Sequence, residues 1–199
     1  MPIILAAGAA PRLGSPHALA RFGRRTAIEI ALANCRRAGL GRPIVVLGCD
    51  AARVRAAVPP TKLRGARVIV NRRWRAGMLS SIRAAMRHVP RTAAFLLYPV
   101  DLPLLTPAIL RRIARAYAKR KREQVIISPV YSWRAGHPVI FAPELRPELA
   151  RTRTARDLVE RDPRRVKLVP IHSRAIYADF DTPAQLHRLQ RAFARHRAR

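Results

Sequence analysis

The 199-residue sequence has few cysteines, few acidic residues and no long apolar run. Its two cysteines, Cys35 and Cys49, fall in a predicted helix and at a predicted strand end, so we expect small buried thiols rather than a disulfide or a metal site. No stretch reaches the roughly 18 apolar residues of a membrane span. The start, MPIILAAGAA, lacks the basic flank of a signal peptide. We therefore expect a cytoplasmic protein with no membrane partner.

The shortage of acidic residues gives the chain an extreme charge. Asp and Glu total 11 against 40 for Lys and Arg, a formal net charge of +29. The basic residues are spread from Arg12 to Arg199, and the nearest thing to a cluster is the C-terminal HRLQRAFARHRAR. Nonspecific binding to polyanions at low salt is expected from such a chain. A protein that associates with nucleic acid is accordingly one alternative function.

Strand and helix signals alternate along the chain, which is typical of βα units around a mostly parallel sheet. The predicted strands are residues 2–6, 43–47, 66–71, 93–100, 124–130, 137–141 and 166–170. The predicted helices are residues 27–37, 51–57, 80–88, 107–119, 156–161 and one that begins at 183. A capping box of Thr26 and Glu29 starts the first of them, and Thr106 followed by Pro107 starts the fourth. No internal repeat or linker interrupts this pattern. We predict a single α/β domain over residues 1–199, Rossmann-like and three-layered, with a mixed but mostly parallel sheet.

The first predicted strand runs into a loop of small and polar residues, LAAGAAPRLGSPHALARFG, at positions 5–23. Ala6, Ala7 and Gly8 allow a ligand to approach the backbone closely. Main-chain N–H groups of the loop can bind phosphate oxygens, and Arg12 adds a planar fork of donors. The glycine spacing matches neither Walker A nor GxGxxG, so an ordinary βα turn is the alternative interpretation.

Two carboxylates stand where predicted strands and helices meet loops. Asp101 follows the buried run AAFLLYPV, and Asp181 precedes the last predicted helix. Both can lie at the crevice beyond the strand ends, where α/β sheets bind ligands. Nucleotidyl transfer normally needs Mg²⁺ held by one or two carboxylates and by substrate oxygens. The structural alternatives are that Asp101 caps a turn and that Asp179, Asp181 or Thr182 caps the last helix.

Two further segments carry polar side chains suited to binding. Ser80 and Ser81 lead into a predicted helix, where a hydroxyl can cap the helix or reach a nucleobase. His137 enters a strand at a turn, so its imidazole can meet an acceptor substrate or make a structural hydrogen bond. Both segments are candidates for contacts with substrates.

Taken together, the ordered motifs resemble the MobA-like nucleotidyltransferase family, and more closely its molybdenum cofactor cytidylyltransferases. The family's opening motif is LAAGxSxRMGxxK. Leu5 to Gly8, Arg12 and Gly14 match it in register, while Ala10 replaces Ser and His17 replaces Lys. The other similar segments are NRRWRAGMLSSIRAAM (71–86), LLYPVDLPLLTP (96–107), GHPVIF (136–141) and DFDTPAQL (179–186). Where relatives carry GDxGAR this chain has RTRTAR (151–156), so the match is lost there.

The resemblance implies a fold like that of nucleotide-diphospho-sugar transferases. It implies transfer of a nucleoside monophosphate, CMP from CTP, to a phosphorylated acceptor such as molybdopterin, with a molybdoenzyme or its chaperone as a protein partner. The AAG spelling of the first motif is similar to the cytidylyltransferase form, whereas guanylyltransferases tend to read AGG. A nucleotide-binding homologue with little activity is the alternative within the same family.

The resemblance also assigns roles to individual residues. The implied nucleotide-binding residues are Leu5, Ala6, Ala7, Gly8, Arg12, Gly77, Ser81 and Asp101. The implied catalytic residues are Arg12, His17 and Asp101; Asp101 and Asp181 hold Mg²⁺, and His137 contacts the acceptor. A lysine is permanently charged at neutral pH whereas a histidine is mostly neutral. Position 17 is therefore where this chain departs most from the family's triphosphate site.

Overall fold

The computed structural model describes residues 1–197, with side chains through residue 195. The last two residues of the predicted basic C-terminal cluster, Ala198 and Arg199, lie outside the described residues. The strands are β1 (Pro2–Ala6), β2 (Arg21–Phe22), β3 (Arg25–Thr26), β4 (Ile44–Leu47), β5 (Arg67–Val70), β6 (Phe95–Pro99), β7 (Ile126–Tyr131), β8 (Arg134–Ala135), β9 (Val139–Phe141) and β10 (Val166–Pro170).

The helices are α1 (Ala27–Arg37), α2 (Ala51–Ala57), α3 (Pro60–Leu63), α4 (Met78–Met86), α5 (Pro107–Ala118), α6 (Arg146–Arg151), α7 (Ala155–Arg161) and α8 (Pro183–Arg197). Several begin where the sequence places a cap. Thr26 and Glu29 form a capping box at the start of α1, and Thr106 caps α5 ahead of Pro107. Among residues 1–197, each helix is too short or too polar to cross a membrane.

The main sheet has the strand order β10-β7-β9-β6-β1-β4-β5, and β8 pairs with β7. Within this sheet, as described for residues 1–197, only β9 and β8 run against their neighbours, so the predicted mixed, mostly parallel sheet is confirmed. From β1 the chain moves outward to β4 and β5, then returns to the opposite side of β1 with β6. The connections that leave β1 and β6 therefore diverge, and such a switch point creates a ligand crevice at the carboxyl ends of the strands.

Apolar side chains cover both faces of the sheet, because successive residues of a strand point to opposite sides. Along β1, Ile4 belongs to one core cluster while Ile3 and Leu5 belong to the other. Helices α1, α5 and α8 contribute to the first cluster, and α4, α6 and α7 contribute to the second. The predicted three-layer α/β architecture is confirmed.

Several local predictions need correction. Helix α4 begins at Met78 rather than Ser80, because Gly77, with φ of 86°, takes the N-cap position. The hairpin of β2 and β3 and the short helices α3 and α6 were not predicted, since two to six residues are too few to show a period. Cys35 is buried as expected, but Cys49 is exposed because the chain leaves the core after β4 ends.

Gly48, directly after β4, holds two loops of the crevice close together. A Cβ on this residue would collide with the main-chain oxygen of Ala7 and would come within 2.8 Å of the Cβ of Trp74. The neighbouring amide of Cys49 donates a hydrogen bond to that same oxygen of Ala7 at 3.1 Å. The approach of these two loops therefore depends on the missing side chain at position 48.

We predict that Gly48→Ala lowers the free energy of unfolding by about 1–3 kcal/mol, because the added methyl group overpacks a rigid backbone contact. Gly41→Ala is the matched control, since a Cβ there meets nothing within 4 Å. We expect the control to stay within about 0.5 kcal/mol of the wild type. Urea denaturation followed by circular dichroism measures both, and equal effects of the two substitutions would contradict the prediction.

Candidate active site

A cleft of about 350 Å³ opens at the switch point between β1 and β6. It draws its lining from the ends of those two strands, from the loop between β1 and β2, from the turn before α4 and from the first turn of α4. The lining residues are Leu5, Ala6, Ala7, Gly8, His17, Ala18, Trp74, Arg75, Gly77, Met78, Ser81, Pro99, Val100 and Asp101. Apart from Arg12, all of the predicted nucleotide-binding residues thus line one cleft. The volume is within the range of small-molecule sites.

The floor of the cleft consists of residues with little or no side chain. Leu5 of β1 lies beside Pro99 of β6, and the chain continues through Ala6, Ala7 and Gly8. A Cβ added to Gly8 would meet nothing within 4 Å, so packing does not require glycine at this position. The missing side chain instead leaves room in the cleft and exposes the main chain to a ligand.

One wall of the cleft is braced by an amide–hydroxyl network at the start of α4. The side chain of Asn71, directly after β5, donates to Ser80 Oγ at 2.8 Å and to Ser81 Oγ at 3.0 Å. Ser80 in turn donates to main-chain oxygens of the turn, and Gly77 rather than Ser80 occupies the N-cap. Ser81 is buried and lines the cleft. Sequence reasoning missed Asn71, although a polar residue at a strand's carboxyl end was the available signal.

At the other side of the cleft, His17, Asp101 and Asp181 come together. Each offers one ligand atom, and these atoms all lie within 4.8 Å of one another. His17 opens a single turn of 3-10 helix, His17–Leu19, and its Nε2 lies 3.2 Å from Asp181 Oδ1. The structure therefore joins the two aspartates predicted to bind metal, and it adds a histidine predicted to contact phosphate.

Asp101 is held in an electrostatically unfavourable position. Burial, with a smaller contribution from the Asp179 and Asp181 carboxylates, raises the pKa of Asp101 to about 6, against the partial opposition of His17. Its Oδ1 is buried and has no hydrogen-bond partner within the described residues. A cation placed beside this oxygen would stabilise the charged form.

The surroundings of Asp101 differ from those of other acidic residues in this arginine-rich chain. Glu148 pairs with Arg165 at 2.6 Å, and Asp162 pairs with Arg164 at 3.0 Å. The chain contains 40 Lys and Arg residues, so basic partners for acidic side chains are plentiful. A cluster of carboxylate oxygens suits a hard divalent cation when its buried carboxylate, here Asp101, is not paired with an arginine. The residues present therefore fit the metal that the sequence predicts.

Arg12 lies at the rim rather than in the cleft. Its terminal nitrogen is 2.7 Å from Asp181 Oδ2, and its side chain is 68% exposed. An exposed ion pair of this kind contributes at most about 1 kcal/mol. The guanidinium can therefore leave Asp181 for a stronger anionic partner, and its predicted role toward a triphosphate stays a prediction.

The loop that carries Asp181 is anchored by its buried neighbour Phe180. The ring of Phe180 packs edge-on against two other rings. Its centroid lies 5.2 Å from that of His17 and 5.6 Å from that of Phe22 of β2. The hairpin of β2 and β3 thus supports the cluster from behind. An isolated pair of two-residue strands has little stability of its own, and here its aromatic residue completes the packing around the metal-binding candidates.

Helix α8 is capped without the use of an aspartate. Thr182 Oγ1 accepts from the amide of Gln185 at 3.3 Å, and the Gln185 side chain accepts from the amides of Asp181 and Thr182. Thr182 is therefore the cap, and the alternative in which Asp179 or Asp181 caps the helix is wrong. The carboxylate of Asp181 is left for Arg12 and His17.

His137 lies at the same edge of the sheet but does not line the cleft. It precedes β9, which runs antiparallel to β6, so it stands next to the carboxyl end of β6. Its amide donates to Ile176 O at 2.7 Å, and its Nδ1 is buried without a hydrogen-bond partner within the described residues. Burial lowers the pKa of His137, and the Asp179 carboxylate opposes that shift. Its acceptor role stays a prediction.

An aromatic and basic surface borders His137 on the hairpin of β7 and β8. The Tyr131 and Tyr177 rings are 6.2 Å apart, and the Arg134 guanidinium stacks 4.7 Å from the Tyr177 ring. Trp133, at the tip of the hairpin, is fully exposed and has a φ of 64°. A bulky residue in the left-handed region is unusual, and such residues cluster at functional sites.

The segment RTRTAR, where the family resemblance is lost, has a structural role. Thr154 and Asp157 form a capping box at the start of α7. Arg83 of α4 donates to the main-chain oxygens of Leu149 and Thr152. These contacts tie α6 and α7 to α4, and none of these residues lines the cleft.

Comparison with known proteins places this chain in a family. The profile of the family described as "MobA-like NTP transferase domain" matches residues 2–167. The curated nicotine blue oxidoreductase of Paenarthrobacter nicotinovorans is 31% identical over 195 residues, which cover 94% of both chains. The crystal structure of Rv0371c from Mycobacterium tuberculosis H37Rv is 31% identical, with a TM-score of 0.81 and 96% coverage of both chains.

A second crystal structure of Rv0371c, described as a complex with manganese, is 30% identical to this chain, with a TM-score of 0.78 and 96% coverage of both chains. The structure described as a nucleotidyl transferase of Methanothermobacter, Mth528, has a TM-score of 0.80 at 20% identity. The match covers 98% of this chain and 97% of that one. The latter likeness shows the shared fold, which extends over nearly the whole chain.

We predict that Asp101→Asn stabilises the metal-free protein at neutral pH. A pKa raised from 3.8 to about 6 means that the ionised group destabilises the folded state by about 3 kcal/mol above pH 7. Because this acid keeps its proton longer in the folded state, wild-type stability falls as pH rises from about 4 through 6. In EDTA the variant should gain about 2–3 kcal/mol at pH 7.5 and nothing at pH 4.

Chemical denaturation at both pH values measures this difference. Asp162→Asn is the control, because its Arg164 partner lowers the pKa of Asp162 and the substitution removes a favourable pair. The control should gain no stability at pH 7.5. An Asp101→Asn protein that is no more stable than wild type at pH 7.5 would show that the burial of this charge is compensated within the fold.

Proposed function

The chain belongs to the MobA-like NTP transferase family, and on that premise we propose that it transfers CMP from CTP to a phosphorylated acceptor, with molybdopterin as the candidate acceptor. The observation that carries the proposal is the cleft at the switch point of the sheet. Small residues that admit a phosphate, a buried serine and a carboxylate oxygen with no hydrogen-bond partner in the described part of the chain converge there.

We assign the nucleotide to the cleft between the loop after β1 and the start of α4. The exposed main chain at Ala7 and Gly8 offers amides to the triphosphate. Ser81, held in place by Asn71, offers a hydroxyl to the base or ribose. The choice of CTP rests on the AAG spelling of the first motif, which is similar to that of cytidylyltransferases.

A divalent cation, Mg²⁺ by the family resemblance, would be held by Asp101 and Asp181. When bound, the ion neutralises phosphate charge and orients the substrate oxygens. The donor set and the unpartnered Asp101 Oδ1 support this assignment. Support also comes from the manganese complex of Rv0371c, a relative at 30% identity.

The proposed reaction is an in-line displacement at the α-phosphorus. A bond forms between an acceptor phosphate oxygen and this phosphorus, while the bond to the bridging oxygen breaks and pyrophosphate leaves with the electron pair. Arg12 moves from Asp181 to the phosphates and stabilises the charge that develops on them. The protein contributes mainly position and electrostatic stabilisation.

The acceptor belongs on the surface beside His137. A guanidinium at Arg134 suits a phosphate group, and the exposed ring of Trp133 suits stacking on a planar heterocycle. These groups lie at the sheet edge that also carries Asp101. The combination favours a planar phosphorylated acceptor such as a pterin. A molybdoenzyme or its chaperone would then receive the product.

Calorimetric titration and pyrophosphate release test the proposal. We expect CTP to bind in preference to GTP and ATP, and to need a divalent cation. With molybdopterin and Mg²⁺ or Mn²⁺, we expect pyrophosphate release that Asp101→Asn lowers about 100-fold, since it weakens the cation site. Asp162→Asn, on a remote ion pair, should stay within about twofold of wild type. Absence of cation-dependent nucleotide binding would contradict the proposal.

An oxidoreductase is the second candidate, because one relative that matches over 94% of the chain carries the name nicotine blue oxidoreductase. The two functions separate in one pair of assays. Bleaching of nicotine blue in the presence of an added electron donor, dependent on this protein and unaffected by CTP, would favour the redox function. Pyrophosphate release without such bleaching would favour nucleotidyl transfer.

A further inference from the structure

His17 stands where the family motif carries a lysine, and the structure places its imidazole beside two carboxylates. The histidine comes from the turn before β2, Asp101 from the end of β6, and Asp181 from the loop before α8. One ring nitrogen and one oxygen from each carboxylate lie within 4.8 Å of one another. Two ligands on opposite sides of a small divalent cation are about 4.2 Å apart, because each bond is about 2.1 Å long. The observed spread is close to that of a shared ion.

The imidazole is held in this position by packing. Its ring contacts the fully buried Phe180 edge-on at 5.2 Å, and only 15% of the His17 side chain is exposed. A restrained ring loses little conformational freedom when it binds a ligand. The geometry of the cluster is therefore built into the fold before any ligand arrives.

Two buried atoms of the cluster have no hydrogen-bond partner within the described residues. They are Nε2 of His17 and Oδ1 of Asp101. Asp181 Oδ1 is 3.2 Å from Nε2, but the angle between the two groups is not that of a hydrogen bond. Unpartnered buried polar atoms are uncommon in proteins, and two of them in one cluster of three residues suit one shared ligand.

Asp181 can bind this ligand and keep its ion pair with Arg12 at the same time. Arg12 binds Oδ2 of Asp181 at 2.7 Å, whereas Oδ1 is the oxygen on the side of His17. Asp179 adds a further negative charge to the surroundings of Asp101. The ligand of this cluster is accordingly a cation.

We propose that His17 is a nitrogen ligand of the divalent cation, beside Asp101 and Asp181, and that it makes the site prefer Mn²⁺ and later first-row ions to Mg²⁺. The inference rests on the proposed nucleotidyl transfer at the same site. Imidazole suits transition ions, whereas Mg²⁺ favours oxygen ligands and retained water. A protonated lysine has no lone pair for a metal. The lysine of the family motif therefore contacts phosphate, whereas His17 at the same position contacts the ion.

Manganese binding to the metal-free full chain tests this assignment directly. Electron paramagnetic resonance titration should give an affinity for Mn²⁺ that falls at least about tenfold in His17→Gln. Competition between Mn²⁺ and Mg²⁺ should show that the Mg²⁺ affinity of His17→Gln differs from that of wild type by less than about threefold. Pulsed measurements should detect ¹⁴N coupling to bound Mn²⁺ in wild type and lose it in His17→Gln. His187→Gln, on the exposed part of α8, should match wild type.

Circular dichroism and thermal unfolding check that the variants fold, and His17→Lys provides a second replacement that restores the family residue. His17→Lys should also lose the nitrogen coupling and the preference for Mn²⁺. Bound Mn²⁺ without ¹⁴N coupling in wild type, or equal losses of Mn²⁺ and Mg²⁺ affinity in His17→Gln, would overturn the assignment.

Pyrophosphate release separates this inference from the proposed function. Release of pyrophosphate together with oxygen-only coordination of Mn²⁺ would refute the role of His17 and leave nucleotidyl transfer supported. Nitrogen coordination without pyrophosphate release from any nucleotide would refute the proposed function and leave the ligand assignment supported.

Discussion

The burial of one carboxylate at the switch point of the sheet is the constraint around which the site is arranged. Asp101 follows a fully buried strand, so its charge sits where water is scarce and where two other aspartates are near. A fold tolerates such a charge only at a net cost in stability, and natural proteins accept that cost at functional sites. The divergence of the loops after β1 and β6 and the packing of Phe180 serve to keep ligand groups around this position.

The elements that sequence reasoning predicted well are those with a strong local signal. Apolar runs gave β1, β4 and β6, and the Thr26–Glu29 and Thr106–Pro107 pairs gave the starts of α1 and α5. The cleft lining followed from the motif resemblance together with the rule that strand ends carry ligands. Cys49 and the start of α4 were misjudged because both depend on where the chain turns away from the core.

Contacts between distant parts of the chain could not be read from the sequence. Arg12 and Asp181 are 169 positions apart, and no local pattern predicts their ion pair. The meeting of His17 with Asp101 and Asp181 has the same origin, because it depends on the hairpin of β2 and β3 packing against the loop before α8. Asn71 and Trp74 were missed for a related reason, since their importance comes from the wall that α4 builds against β1.

The division of Asp181 between two partners has a thermodynamic consequence. One oxygen holds Arg12 and the other faces the cation cluster, so the two neighbours compete for the electron density of a single carboxylate. An anion that draws Arg12 away leaves Asp181 less neutralised and so tightens its hold on a cation. By linkage, the cation must favour the anion by the same factor. A metal ion and a polyphosphate that meet at this residue would thus bind with positive cooperativity and without a change in fold.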